Sequence, residues 1–149
     1  MSHSVSITDY FKLLGAPLAN QRWSWGAVRE SDKAVFLRVW QDQVRKIDGT
    51  MFALVADHAW HANNPSHPGY RERLAHIAAI RGGAKGYLIM CAVKDKTAEP
   101  RDIQSFDRES LFVAGRLRGD EIEERLELSS KVTSRSARPN ASLERTRGE

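Results

Sequence analysis

Two alternating segments on either side of a short polar turn constrain the fold of this chain most strongly. Residues 22–29 place Trp23, Trp25 and Ala27 on one face, and residues 34–41 alternate in the same way around Phe36, Arg38 and Trp40. Alternation with a period of two is typical of a half-buried strand, and the turn at 30–33 is short and polar. The two segments are therefore predicted to form an antiparallel hairpin.

The rest of the pattern predicts further strands and one main helix. The helix is expected over residues 69–81, with a stripe of Tyr70, Leu74, Ile77 and Ala78 facing inward and with His76, near Glu72, facing outward. Gly82 and Gly83 should end it. A short helix is predicted at 8–14, a turn at 48–49 and one turn of helix at 107–110. Strands are predicted at 51–56, 86–93, 101–106, 111–117 and 122–132.

Strands dominate both ends of the chain, which indicates an α+β fold. We expect a curved, mainly antiparallel sheet or a small open β-barrel, with one main helix and short flanking helices. The strand at 86–93 is apolar on both faces, so it should be central.

The chain of 149 residues, 41% hydrophobic and 28% charged, has the size and composition of one domain. Residues 1–132 are predicted to form it. Ser, Thr, Arg, Pro and Asn together dominate residues 133–149, which are predicted to be a disordered basic tail. No targeting segment or long apolar run is visible, so we expect a cytoplasmic protein without a membrane partner.

The net charge of +4 favours an anionic partner only weakly, because the tail carries half of it. Tryptophan and arginine side chains are nevertheless grouped. Single-stranded nucleic acid and extruded bases are bound by aromatic rings for stacking and by cations for phosphates. The candidate binding residues are Trp25, Trp40, Trp60, Arg22, Arg38, Arg71 and Arg73. The alternative is that the tryptophans fill the core of the sheet.

A loop at 57–69 concentrates histidine and allows a second interpretation. His58 and His61, with His67 or Asp57, could ligate a metal ion, but the spacing matches no zinc signature. The loop could equally be a polar surface turn. The single cysteine, Cys91, lies in an apolar run and is expected to be a buried hydrophobe. The sequence therefore assigns no metal ligand, cofactor or catalytic residue.

Three segments carry a resemblance to a known group of folds. They are RWSWGA at 22–27, VFLRVW at 35–40 and GYLIMC at 86–91, followed by closing strands up to residue 132. Their order resembles the PUA-like superfamily, including its EVE and SRA types. The resemblance implies a barrel-like fold and binding of RNA or modified bases, with a link to restriction or defence.

Three functions remain open at this point. The first is a non-catalytic module that binds DNA or RNA. The second is a metal-dependent nuclease or hydrolase that works through the histidine loop. The third is an accessory factor of a mobile element that binds a protein partner.

Overall fold

The computed structural model describes residues 6–62, 66–97 and 101–139 as one α+β unit. The described helices are α1 (Ile7–Leu13), α2 (His58–Ala62), α3 (Pro68–Arg81) and α4 (Ser134–Ala137), and only α3 is long. The strands are β1 (Gly26–Val28), β2 (Val35–Trp40), β3 (Val44–Ile47), β4 (Thr50–Asp57), β5 (Gly86–Val93), β6 (Ile103–Phe106), β7 (Ser110–Gly119) and β8 (Glu123–Thr133).

The eight described strands form one open sheet in the order β1-β2-β5-β7-β8-β4-β3, with β6 also paired to β5. All pairings are antiparallel except that of β2 with β5. The predicted hairpin is confirmed, since Ala27 pairs with Phe36, but β1 is only three residues long. The strand predicted at 22–29 was therefore too long, and Trp23 and Trp25 precede β1.

Hydrophobic side chains pack on both faces of the sheet. On one face, α1 and α4 cover Phe36 and Ile89. On the other face, Ile77 of α3 packs with Leu37 and Leu88. The alternating side chains of β2 and β5 enter both clusters, so the prediction that β5 is central is confirmed.

Local signals predicted some boundaries well and missed others. The turn at Asp48 and Gly49 is confirmed, because both residues have positive φ and join β3 to β4 as a two-residue hairpin. Neither β3 nor α2 was predicted. The helical turn expected at 107–110 is absent, since β7 begins at Ser110.

The folded chain continues beyond residue 132, where the domain was predicted to end. Strand β8 runs to Thr133, and Ser134 and Ala137 of α4 are buried. The Tyr10 and Ser134 hydroxyl groups are 2.6 Å apart, and the Arg29 guanidinium donates to the Ala137 carbonyl oxygen. Residues 140–149 of the predicted tail lie outside the described residues.

Candidate nucleic-acid interface

Three aromatic side chains meet where the N-terminal end of α3 approaches β1. The Trp25 ring lies 6.2 Å from Trp60 and 5.2 Å from His67, measured between ring centroids. Trp60 and His67 are themselves 5.7 Å apart in an edge-to-face arrangement. All three side chains are half-buried. We call Trp25, Trp60 and His67 the aromatic cluster.

Local sequence at the start of α3 brings these rings together. His67 is the N-cap and accepts a hydrogen bond from the Gly69 backbone N–H at 3.0 Å, and Pro68 occupies the first helical position. Gly69 permits a close approach, because a Cβ atom there would lie 2.6 Å from the Trp25 ring. The Trp60 backbone N–H donates to Asp57, which fixes the first turn of α2.

The rings of the aromatic cluster do not form a cage. A base inserted between Trp25 and Trp60 would need parallel rings about 7 Å apart, which is two van der Waals contacts. The two ring planes are instead inclined at 59° and are already in contact. A base could therefore stack only on the outer face of the cluster.

Arg73, one of the predicted phosphate contacts, is buried beneath the aromatic cluster. It is 5% exposed, and its guanidinium lies 5.8 Å from the Trp25 ring. It donates to the carbonyl oxygens of Val55, Trp25 and Arg38 at 2.8 to 3.0 Å. Burial and the nearby Arg38 lower the pKa of Arg73 to about 9. The guanidinium joins β4 to the β1–β2 hairpin and is not available to a phosphate at the surface.

Arg73 belongs to a polar group on the inner side of α3, which also contains Glu72, His76 and Arg38. Each of the four has one buried side-chain atom without a hydrogen-bond partner among the described residues. Burial raises the pKa of Glu72 even though Ser24 donates a hydrogen bond to it. Burial also lowers the pKa of Arg38, which is half-buried. Arg38 therefore faces this polar group with part of its side chain still open to solvent.

His76 is 7% exposed, so the prediction that it faces outward is wrong. The predicted inward stripe is also partly wrong. The buried residues of α3 are Gly69, Arg73, His76 and Ile77, whereas Leu74 is exposed. Burial, with a smaller contribution from Arg73, lowers the pKa of His76 to about 4. The imidazole is therefore neutral at neutral pH.

The lowered pKa of His76 predicts a stability loss on acidification. The unfolded chain binds this proton below about pH 6.5, whereas the folded chain resists it until about pH 4, so stability falls as the pH drops through this interval. We expect His76→Gln to remove about 2 kcal/mol of the difference in unfolding free energy between pH 8 and pH 5. Urea unfolding of the wild type and the variant at both pH values measures this difference. Identical pH profiles for the two proteins would show that His76 is not the group responsible. Glu72 contributes to both proteins, so the comparison isolates His76.

A cleft of about 630 Å³ lies beside β1 and receives Glu72 and His76 from α3. Its other walls are mostly small and apolar, including Pro17, Ala27 and Pro139. The aromatic cluster does not line it. The cleft and the aromatic cluster are therefore different parts of the molecule.

The remaining predicted residues divide into two groups. Arg22 and Arg71 are exposed, one in the turn that precedes Trp25 and one in the first turn of α3. Trp40 is half-buried at the margin of the core on the α1 side, with the Arg101 guanidinium 5.4 Å from its ring. Its ring contacts neither Trp25 nor Trp60 in the described chain. The structure thus brings together two of the three predicted tryptophans.

The histidine loop is partly helical and uses its side chains for other contacts. The two ring nitrogens of His58 are each 2.9 Å from an oxygen atom, one of Tyr70 and one of Glu124. His67 belongs to the aromatic cluster, and nothing is described for the His61 side chain. In the part of the chain that the structure describes, no three His, Cys, Asp or Glu side chains are grouped as metal ligands.

Three relevant residues were missed or misplaced because they are polar. His67 is predicted either as a metal ligand or as part of a polar surface turn, although the sequence His67-Pro68-Gly69 carries a helix-start signal. Glu72 and His76 are predicted to face solvent, because the spacing of hydrophobic residues cannot reveal which polar residues are buried. Their spacing of four residues places them on one helix face, but only the fold shows that this face is buried.

Together, the fold and this surface define an α+β protein with an open, mostly antiparallel sheet and a half-exposed aromatic cluster. No protein-family model, no curated protein and no solved structure matches the chain. Among the described residues, no helix is long and apolar enough to cross a membrane.

Proposed function

We propose that this protein is a non-catalytic nucleic-acid-binding module that stacks an unpaired base on the aromatic cluster. The half-exposed contact of Trp25, Trp60 and His67 carries the proposal. Each base stacked on an aromatic ring contributes about 1–3 kcal/mol to the binding free energy, with little dependence on sequence. Such a surface suits single-stranded DNA or RNA, or a base turned out of a duplex.

The charges near the aromatic cluster support an anionic ligand. Arg22 and Arg71 are exposed on the two segments that carry Trp25 and His67. The first turn of α3 contains no acidic residue, so the positive end of its dipole is not neutralised there. In this proposal Arg22 and Arg71 contact phosphates, Arg38 adds positive potential, and Arg73 supports Trp25 from below.

The proposed PUA-like relationship rests on the order of the elements and on the placement of the aromatic residues. The β1–β2 hairpin, the central β5 and the closing β7–β8 pair occur in the expected order. Recognition of modified bases, with a role in restriction or defence, is the corresponding proposal for the ligand. Comparing oligonucleotides with and without a modified cytosine would test that part separately.

The salt dependence of binding tests the phosphate contacts. Each contact with single-stranded nucleic acid adds about 0.7 to the slope of log affinity against log salt. We expect Arg71→Gln to weaken binding of a single-stranded oligonucleotide and to reduce this slope by about 0.7. Fluorescence anisotropy measures the affinity and its slope between 50 and 200 mM salt, a range in which such affinities change strongly.

Arg135→Gln is the matched control, because Arg135 is exposed on α4 in the layer opposite α3. It removes the same charge from the whole protein and should leave the slope nearly unchanged. Equal slopes for the wild type and the Arg71 variant would show that Arg71 does not contact a phosphate. Absence of binding to DNA and RNA even at low salt would contradict the function itself.

A further inference from the structure

A hydrogen-bonded chain joins α2, α3 and β8 next to the aromatic cluster. His58 is the first residue of α2, and its Nδ1 atom lies 2.9 Å from the Tyr70 hydroxyl oxygen. Its Nε2 atom lies 2.9 Å from Glu124 Oε2, while Arg81 donates to Glu124 Oε1 at 2.7 Å. We call Tyr70, His58 and Glu124 the relay.

The chemistry of the relay fixes the orientation of the imidazole. Glu124 is paired with Arg81, and an ionised carboxylate can only accept hydrogen bonds. In the neutral imidazole the proton must therefore be on Nε2, which donates to Glu124. Nδ1 is then an acceptor, and the Tyr70 hydroxyl donates to it. Both ring nitrogens of His58 are thus engaged, one by Tyr70 and one by Glu124, and these two contacts hold the ring in place.

The relay lies between the two segments that carry the cluster. Trp60 is two residues after His58 on α2, and His67 caps α3 three residues before Tyr70. A shift of α2 away from α3 would break the contact between His58 and Tyr70. The same shift would separate Trp60 from Trp25 and His67. The hydrogen bonds of the relay and the ring contacts of the cluster therefore depend on the same spacing.

We propose that His58 is a positioning residue, which holds α2 against α3 through Tyr70 and Glu124 and thereby keeps Trp60 in the aromatic cluster. It acts on the proposed binding surface through the position of α2 and does not touch the nucleic acid. The inference rests on the proposed function for its biological meaning. Its geometric content, the position of Trp60, can be measured without any ligand.

Circular dichroism of the full chain without nucleic acid provides that measurement. Two indoles in contact couple their electronic transitions and give a paired positive and negative band, whose amplitude depends on their distance and angle. Trp25→Phe and Trp60→Phe should each abolish this signal, whereas Trp40→Phe should leave it. In the Tyr70→Phe and His58→Leu proteins the paired band should then lose most of its amplitude, although both tryptophans are present.

Matched variants separate positioning from general destabilisation. Tyr10→Phe removes a phenol hydroxyl that contacts Ser134 in the opposite layer, and Glu127→Gln removes a carboxylate on β8 that pairs with Arg116. Both should retain the coupled signal. Glu124→Gln should reduce it, and His58→Gln should retain more than His58→Leu, because an amide can both donate and accept.

Affinity for a single-stranded oligonucleotide completes the test. Tyr70→Phe should weaken binding about five- to tenfold, comparable with the loss of one hydrogen bond, while Tyr10→Phe should change it less than twofold. If the coupled signal persists in Tyr70→Phe and His58→Leu, the positioning role is wrong, even if Trp60→Ala shows that the cluster binds nucleic acid. If the signal is lost but no variant binds nucleic acid, positioning stands and the proposed function fails.

Discussion

Replacing Arg73 with methionine should lower the free energy of unfolding by about 3–5 kcal/mol. Methionine fills much of the same volume but cannot donate to the carbonyl oxygens of Val55, Trp25 and Arg38. Loss of one partner from a buried charged interaction usually costs this much, because the remaining polar groups lose their hydrogen bonds. Since domains are stable by only 5–15 kcal/mol, the variant should be near the limit of folding.

The opposing effect is the removal of a buried charge. The pKa of Arg73 is lowered to about 9, which shows that burial and Arg38 disfavour the charged form. Relief of that cost would stabilise the variant. It does not dominate, because the three carbonyl acceptors lie on separate segments, namely β4 (Val55), β2 (Arg38) and the residue before β1 (Trp25). The guanidinium therefore links β4 to the β1–β2 hairpin. Arg73→Lys, which keeps a charge but has fewer donors in a different geometry, should be intermediate.

Urea denaturation measures these differences, with Arg71→Met as the control. Arg71 lies two residues away on the same helix and is exposed, so its replacement should change stability by less than about 0.5 kcal/mol. An Arg73→Met protein within 1 kcal/mol of the wild type would show that the guanidinium does not hold the sheet together.

Trp60→Ala should weaken binding of a single-stranded oligonucleotide about ten- to a hundredfold. The substitution removes one ring of the stacking surface, and a stacked base contributes about 1–3 kcal/mol. Trp60 is half-buried on the short helix α2, away from the two hydrophobic clusters, so stability should change little. Binding by anisotropy and unfolding by denaturant, measured on the same preparation, separate the two effects.

Trp40→Ala provides the contrasting control. Trp40 packs against the core on the α1 side and under Arg101, so its replacement should reduce stability and leave affinity within about twofold. If Trp60→Ala binds as tightly as the wild type, the stacking surface is wrong. If the two substitutions weaken binding equally, the loss reflects the fold rather than the cluster.

The sequence predicted those parts of the fold that depend on local pattern. The β1–β2 hairpin has a period of two and a polar turn, α3 ends at a glycine pair, and β5 is a continuous apolar run. All three elements are present. Strand β3 was missed because Val44–Ile47 is short and half charged. Its pairing with β4 depends on the two-residue turn at Asp48 and Gly49, which the sequence did show.

The candidate site was less predictable, because it depends on which face of α3 is buried. Arg73 and His76 look like surface residues in a helical pattern, and only the packing of α3 against the sheet buries them. The sequence gives no reason to separate Trp40 from Trp25 and Trp60, so all three are predicted to lie together. Their separation follows from side-chain packing: Trp40 packs under Arg101, and Trp25 and Trp60 meet at α3.

The most direct test of nucleobase stacking is a nitrogen–proton NMR titration of the indole groups with a single-stranded oligonucleotide. The chain has four tryptophans, so each indole N–H can be assigned by single substitution. We expect the Trp25 and Trp60 signals to move together as the oligonucleotide binds, while the Trp40 signal stays in place. Binding that leaves Trp25 and Trp60 unmoved, or that moves Trp40 alone, would contradict this expectation.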